Sequence, residues 1–137
     1  MSETNKKIPI NSNLSCPCFS GKLYSECCQL FHAGGKPLEP EQLMRSRYSA
    51  YALKLADYII KTTDTDGPHY EKDLSKWKNS ILEFGKLQFT GLEILEAEGD
   101  KVTFKAYLKQ DGQDASFIEK SLFTLKDGWW YYTRALK

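Results

Sequence analysis

A chain of 137 residues, 41% hydrophobic and 27% charged, is sized for one globular domain plus a small appendage. Its formal net charge of +1, from 19 Lys and Arg against 18 Asp and Glu, argues against the broad basic surface with which a nucleic-acid module engages phosphates. No apolar run reaches the length that spans a bilayer, so no membrane insertion is expected.

The N-terminal stretch Met1-Ser2-Glu3-Thr4-Asn5-Lys6-Lys7 is polar. No secretory leader is expected there, and a reducing, cytoplasmic setting follows as the expectation. Ile8-Pro9-Ile10 is expected to pack or pair. All four cysteines come next, Cys16, Cys18, Cys27 and Cys28, inside thirteen residues. A Cys16–Cys18 disulfide closes a very short ring and a Cys27–Cys28 bond is vicinal, both strained, and a reducing compartment disfavours either.

Zinc resolves the crowding, because it takes four thiolates tetrahedrally. Pro17 restricts φ in the first turn, Gly21 permits a tight bend, and a helical turn begun by Lys22-Leu23-Tyr24 would deliver the second pair. The expected cofactor is one structural Zn2+ on Cys16, Cys18, Cys27 and Cys28, with disulfides or free thiols as the alternatives. Four thiolates leave no open position for a catalytic water. Residues 1–37 are too few to fold on apolar burial alone. The metal is therefore expected to hold them, as it does in finger peptides with about 10–16 kcal/mol. Four lysines stand there against Glu3 and Glu26, so metal loading brings the segment to formal neutrality. Nucleic acid is thus a weakly supported partner, limited to a local cluster of Lys6, Lys7 and Lys22.

Cys-x-Cys, eight residues and then Cys-Cys, with Pro17, Ser20-Gly21-Lys22 and Tyr24, resembles the SEC-C zinc motif. That motif occurs at the C-terminus of the SecA translocation ATPase and in several small bacterial proteins. Phe19 departs from it, standing where the motif usually has Gly. An exposed aromatic at the tip of the knuckle is expected, and Phe19 with Lys22 forms the candidate docking surface. His32 is expected to sit unliganded.

Gly34-Gly35-Lys36-Pro37 is a breaker cluster and the expected linker. Pro40 suits the first turn of a helix, and Leu43, Met44, Tyr48, Tyr51, Ala52 and Leu55 follow helical spacing. A second helical piece holds Tyr58, Ile59 and Ile60 and ends at Asp64-Thr65-Asp66-Gly67-Pro68. A third is expected over 70–84, with Leu74, Trp77, Ile81 and Leu82 inward. The period then falls to two. Val102, Phe104, Ala106 and Leu108 alternate with Thr103, Lys105, Tyr107 and Lys109, a half-buried strand. Residues 87–95, 115–125 and 129–134 read as its neighbours, with hairpin turns at Asp111-Gly112 and Asp127-Gly128. Helices followed by antiparallel strands give an α+β domain.

Leu43-Met44-Arg45-Ser46-Arg47-Tyr48-Ser49-Ala50-Tyr51-Ala52, Gly91-Leu92-Glu93-Ile94, Glu119-Lys120-Ser121-Leu122-Phe123 and Gly128-Trp129-Trp130-Tyr131-Tyr132 are similar to the bacterial YchJ family. The resemblance implies an N-terminal zinc module, residues 1–35, followed by a nuclear-transport-factor-2-like domain, residues 36–137. The second is a cone of about three helices packed on a curved antiparallel sheet. Many members carry a second SEC-C motif near the C-terminus; no second motif is expected in this sequence, whose four cysteines all belong to the first.

On period two, Phe117, Glu119, Ser121 and Phe123 share a strand face, which places Glu119 among aromatics. A buried carboxylate needs a partner. Arg47, on the helical face of Leu43 and Tyr51, is expected to supply it. Tyr48, Tyr51, Asp57 and Tyr132 complete the candidate pocket around Arg47 and Glu119. No nucleophile–base–orienter set and no Gly-rich phosphate loop stands out, so no catalytic residue is assigned and a non-enzymatic role is expected. The expected function is a zinc-binding adaptor whose knuckle docks on another protein. By resemblance that partner is a component of protein export or of the ribosome. The alternative is a small-molecule-binding cone, with a minor hydrolase or isomerase role, under a structural zinc lid. Trp129-Trp130-Tyr131-Tyr132 is expected to be an ordinary core strand with surface aromatic cover; the alternative is an exposed patch for docking or for a homodimer through the sheet, a contact that Arg45, facing outward, would serve.

Overall fold

The structure is a computed structural model and describes residues 14–136. Ile8-Pro9-Ile10 and the lysines at 6 and 7 lie outside the described residues. The knuckle opens on a bridge between Ser15 and Leu23, runs through a 3-10 turn at Tyr24–Glu26 and ends in the short helix α1 (Cys28–His32).

Helix α2 (Pro40–Ala52) is the central element. Pro40 stands at its start with φ already fixed, and Glu39 and Gln42 form a reciprocal capping box. Leu43, Met44, Tyr48 and Ala50 are buried, and so are the polar Ser46, Arg47 and Ser49. A helix buried around most of its circumference must have something on every side, and α2 has the sheet on one and the knuckle on another. Helix α3 (Ala56–Lys61) and helix α4 (Leu74–Phe84) complete the cone. Asp73 caps α4 by accepting from the Lys76 amide at 3.1 Å, so the helix starts four residues later than its apolar spacing suggests. Leu74, expected inward, is 46% exposed. The Tyr70 ring, folded back onto Trp77 with centroids 5.1 Å apart, supplies the apolar cover on that turn instead.

The sheet comprises β1 (Gln88–Glu98), β2 (Lys101–Gln110), β3 (Gln113–Asp114), β4 (Phe117–Lys126) and β5 (Trp129–Leu136). Its order is β1-β2-β4-β5, with the two-residue β3 beside β2, and every pairing is antiparallel. Asp111-Gly112 and Asp127-Gly128 both take positive φ, as a two-residue primed hairpin turn requires. Register shifts at Phe89/Gly91, Ile94/Glu96 and Leu122/Phe123 bend the strands locally and curl the sheet around α2. Val102, Phe104, Ala106 and Leu108 face inward, as their alternation predicts. The Tyr48 hydroxyl donates to the Gly91 carbonyl at 2.7 Å and accepts from the Gly91 amide at 3.2 Å, pinning α2 to the first bulge. A Cβ at position 91 would lie 3.2 Å from the Tyr107 ring, so any larger residue there requires that ring to shift.

Asp64 ties the end of α3 to the far strands. Its amide donates to the Tyr132 carbonyl, and its carboxylate accepts from Lys126 Nζ, the Asp66 amide and Thr133 Oγ1. The segment 36–38 is also held. Lys36 Nζ sits 5.1 Å over the Trp129 ring and Trp130 Nε1 donates to the Leu38 carbonyl at 3.3 Å. The aromatic run Trp129-Trp130-Tyr131-Tyr132 is thus half-buried along its length, and the glycine-rich connection is strapped to β5.

Candidate metal centre and adjoining cavity

Three backbone features build the knuckle. The Cys16 amide donates to the Lys22 carbonyl at 2.8 Å and the Phe19 amide to the Cys16 carbonyl at 3.1 Å, which folds the first cysteine pair into a tight loop. Gly21 takes φ 90° and Phe19 takes φ 61°, a left-handed conformation that disfavours any residue with a Cβ. The 3-10 turn then swings Cys27 and Cys28 back onto the loop. The four Sγ atoms all lie within 4.8 Å of one another, with Cys18 and Cys27 3.6 Å apart. A tetrahedral zinc ion with bonds of about 2.3 Å sets its sulfurs about 3.8 Å apart, so the donor set fits that ion in number, chemistry and spacing. The described cysteines form no disulfide.

Electrostatics point the same way. The hydrogen bond with Cys18 holds the Cys16 thiol up at about 12, and Cys28 is pushed up as well by its bonds to Cys16 and Cys18. Cys18 is held far below the usual thiol range, first by Cys16 and then by Cys28. Sulfurs this close cannot all ionise beside one another without a cation among them. The Ser20 hydroxyl lies 3.2 Å from Cys27 Sγ, placed to donate to a metal-bound thiolate, the kind of outer bond that steadies one.

The knuckle is docked on α2 by polar bonds as well as by burial. Arg45 Nη1 donates to the Cys18 carbonyl at 3.1 Å while its Nε pairs with Glu41 at 3.3 Å. Arg45 therefore faces the knuckle and not outward toward a partner, because the Cys18 carbonyl needs a donor. His32 Nε2 donates to the Ser46 carbonyl at 2.9 Å, which leaves Nδ1 to accept from the Tyr24 hydroxyl at 2.7 Å. Burial lowers the His32 pKa and raises that of Tyr24, so the pair stays neutral in this tautomer. Phe19, 48% exposed, also packs edge-on against Tyr48 with centroids 6.2 Å apart. Lys22 is exposed.

On the other side of α2, the cone holds a cavity of about 380 Å³, open to solvent at one end, between α2, α4 and the inner face of the sheet. Arg47, Tyr48, Tyr51, Glu119 and Tyr132, five of the six residues proposed from sequence, line it. Asp57 does not. Its carboxylate is 87% exposed and pairs with Lys78 at 3.0 Å, because Asp57 stands on the solvent side of α3 while its neighbours Ala56, Tyr58 and Ile59 turn inward. The expected Arg47–Glu119 ion pair is also absent. Arg47 Nη1 donates to the Ile59 carbonyl, Thr62 Oγ1 and Thr63 Oγ1 at 3.1, 2.8 and 3.2 Å. Glu119 Oε2 accepts from Ser121 Oγ at 2.7 Å and from the Tyr132 hydroxyl at 2.8 Å. Burial, and then the Glu119 charge, raises the Tyr132 pKa, which keeps Tyr132 a neutral donor. His69 and Glu71 also reach the cavity from the α3–α4 loop, and Ser80 from the exposed side of α4. His69 stacks on Tyr132 with centroids 5.7 Å apart. Nothing local to the sequence marks His69; its place depends on how that loop closes over β5.

A four-cysteine knuckle fitted for zinc, seated on a cone of helices and curved antiparallel sheet, defines a SEC-C protein with a nuclear-transport-factor-2-like domain. The sequence profile of the YchJ middle NTF2-like domain matches residues 39–135, and the chain belongs to the YchJ family. It is 45% identical over 122 residues to a UPF0225 protein of Deinococcus radiodurans, covering 88% of this chain and 87% of that one. To a UPF0225 protein of a Shewanella species it is 41% identical over 135 residues, covering 88% and 79%. The solution structure of a SEC-C motif containing protein from Rhodopseudomonas palustris superposes with a TM-score of 0.73 at 34% identity, covering 88% of this chain and 96% of that one. A crystal structure of a SEC-C motif containing protein from Psychrobacter arcticus gives 0.67 at 26% identity, covering 90% and 82%. None of the described helices is long and apolar enough to cross a membrane.

Proposed function

We propose that the chain is a small-molecule-binding cone braced by one structural zinc ion in its knuckle. One observation carries this reading: the cone is not filled. Its cavity of about 380 Å³ lies within the roughly 300–1,000 Å³ range of ligand sites, and a few polar groups converge on aromatic walls. The metal holds the flank of the site and takes no part in chemistry, since four thiolates close its coordination.

The test is an amide and indole NMR titration of the zinc-loaded protein with p-cresol, a small apolar probe. Shifts concentrated at Trp77, Tyr51 and Phe104 are expected, and they should vanish in Ser80→Trp, which plugs the mouth from an exposed position. Shifts scattered over the outer surface, or unchanged by that substitution, would sink the reading.

A second reading, the adaptor, is supported by the exposure of Leu14, Phe19, Leu23 and Leu30 on the knuckle, from 38% to 55%. Here the knuckle docks on a component of protein export or of the ribosome. Co-sedimentation with purified ribosomes and binding to a purified translocation ATPase test it. Both should fail in Leu23→Ser/Leu30→Ser with zinc content unchanged, and full binding by that variant removes the knuckle as the docking surface.

A further inference from the structure

Resting on the cavity reading above, the unused hydrogen-bonding capacity inside the cone narrows the chemical class of its occupant. Arg47 is 8% exposed, yet only Nη1 of its guanidinium is engaged. Nε and Nη2 have no partner among the described residues and are not sealed off. Arg47 lines the cavity, which puts an occupant within reach of these donors. All the partners it does have are neutral oxygens, with the Tyr132 ring 4.7 Å from the guanidinium carbon. A buried cation with no anion in contact carries an uncompensated desolvation cost.

Glu119 is the complement. Its Oε2 is occupied by Ser121 and Tyr132, while Oε1 has no partner among the described residues and is not sealed off. Tyr132 stands between the two charges, its ring against Arg47 and its hydroxyl on Glu119. The cavity thus presents a donor fork and a free carboxylate oxygen, held apart by a tyrosine, among the rings of Tyr51, Trp77, Phe84 and Phe104.

We propose that the cone binds a small aromatic carboxylate bearing a hydroxyl or amino donor away from its acid group. The carboxylate takes Nε and Nη2 of Arg47, in the bidentate geometry that guanidinium favours. The ring lies against the aromatic walls, and the distal donor reaches Glu119 Oε1. A volume at the small end of the ligand-site range limits the occupant to one ring or a fused pair and excludes a peptide.

The experiment compares three probes on the zinc-loaded protein by the same NMR titration: 4-hydroxyphenylacetate, its neutral alcohol analogue tyrosol, and phenylacetate. The hydroxy acid is expected to bind roughly tenfold more tightly than tyrosol, since losing the anion leaves the Arg47 donors unpaired. It is expected to bind several-fold more tightly than phenylacetate, and Glu119→Gln should erase that second preference. Arg47→Met should erase the first. If that variant fails to fold, the acid-against-alcohol comparison on the unaltered protein decides alone. Equal affinity for acid and alcohol overturns the proposed class while p-cresol binding leaves the cavity reading standing. Failure of p-cresol to enter the cavity overturns both. Equal affinity for the hydroxy acid and phenylacetate overturns the role of Glu119.

Discussion

The Arg47 guanidinium carbon lies 4.7 Å from the centroid of the Tyr132 ring, and the Tyr132 hydroxyl donates to Glu119 at 2.8 Å. One side chain thereby serves a cation with its face and an anion with its edge. Tyr132→Phe keeps the ring and loses the bond to a carboxylate, an expected cost of about 1.5–3 kcal/mol. Tyr132→Leu loses the cation–π contact as well, adding about 1 kcal/mol. Urea unfolding of both variants checks the order; a phenylalanine variant as stable as the parent would show that the hydroxyl contributes nothing.

Phe19 adopts φ 61°, where a Cβ costs about 1–2 kcal/mol, while its edge-on contact with Tyr48 offsets about 0.5–1.5 kcal/mol of that. Phe19→Ala keeps the strain and discards the contact, whereas Phe19→Gly discards both. The glycine variant should therefore be the more stable of the two by about 1 kcal/mol. Denaturation of the zinc-loaded proteins decides it, and an alanine variant equal to or better than glycine contradicts the assigned backbone conformation.

Arg45 is expected to act on the metal at one remove. Its bond to the Cys18 carbonyl orients the loop that carries two of the four sulfurs, so Arg45→Ala should weaken zinc retention by roughly tenfold, in the range of outer-shell substitutions. Zinc transfer to a chromogenic chelator reads this directly. An unchanged transfer rate would mean that burial alone holds the loop.

Acid sensitivity should trace to Asp64. Burial pushes its pKa up but is outweighed by the bonds from Lys126, the Asp66 amide and Thr133, and the net shift is downward. A carboxylate held below its unfolded value contributes stability that is fully present above that value and is lost as pH falls through the folded one. Below about pH 4, the melting temperature of the parent should fall more steeply than that of Asp64→Asn. Parallel profiles would assign the acid limb to other groups.

What the sequence makes legible divides along physical lines. The cysteine spacing and the two-residue period of β2 are local, and the structure has both as expected. The inward face of β4, carrying Glu119, Ser121 and Phe123, follows from the same period. The partners of these groups are not local. Arg47 and Glu119 each sit in an apolar pattern, which marks both as needing a partner, but the pattern cannot say that backbone and hydroxyl oxygens at the end of α3 satisfy Arg47. Asp57 is misplaced for a similar reason, since one charged residue at the start of a short helix has no periodicity to fix its side. The start of α4 was decided by Asp73, a cap that outweighs the apolar spacing before it.

Helix α2 meets the knuckle through Arg45 and the Ser46 carbonyl, and the cavity through Met44, Arg47, Tyr48 and Tyr51. The family profile begins at residue 39, so a chain cut there would keep the cone in name and strip one wall from its central helix. Ser46 and Ser49, both fully buried, would meet water. Metal loading and cone integrity are therefore coupled quantities: the protein should melt as one cooperative unit, and its single transition should move with the free zinc concentration.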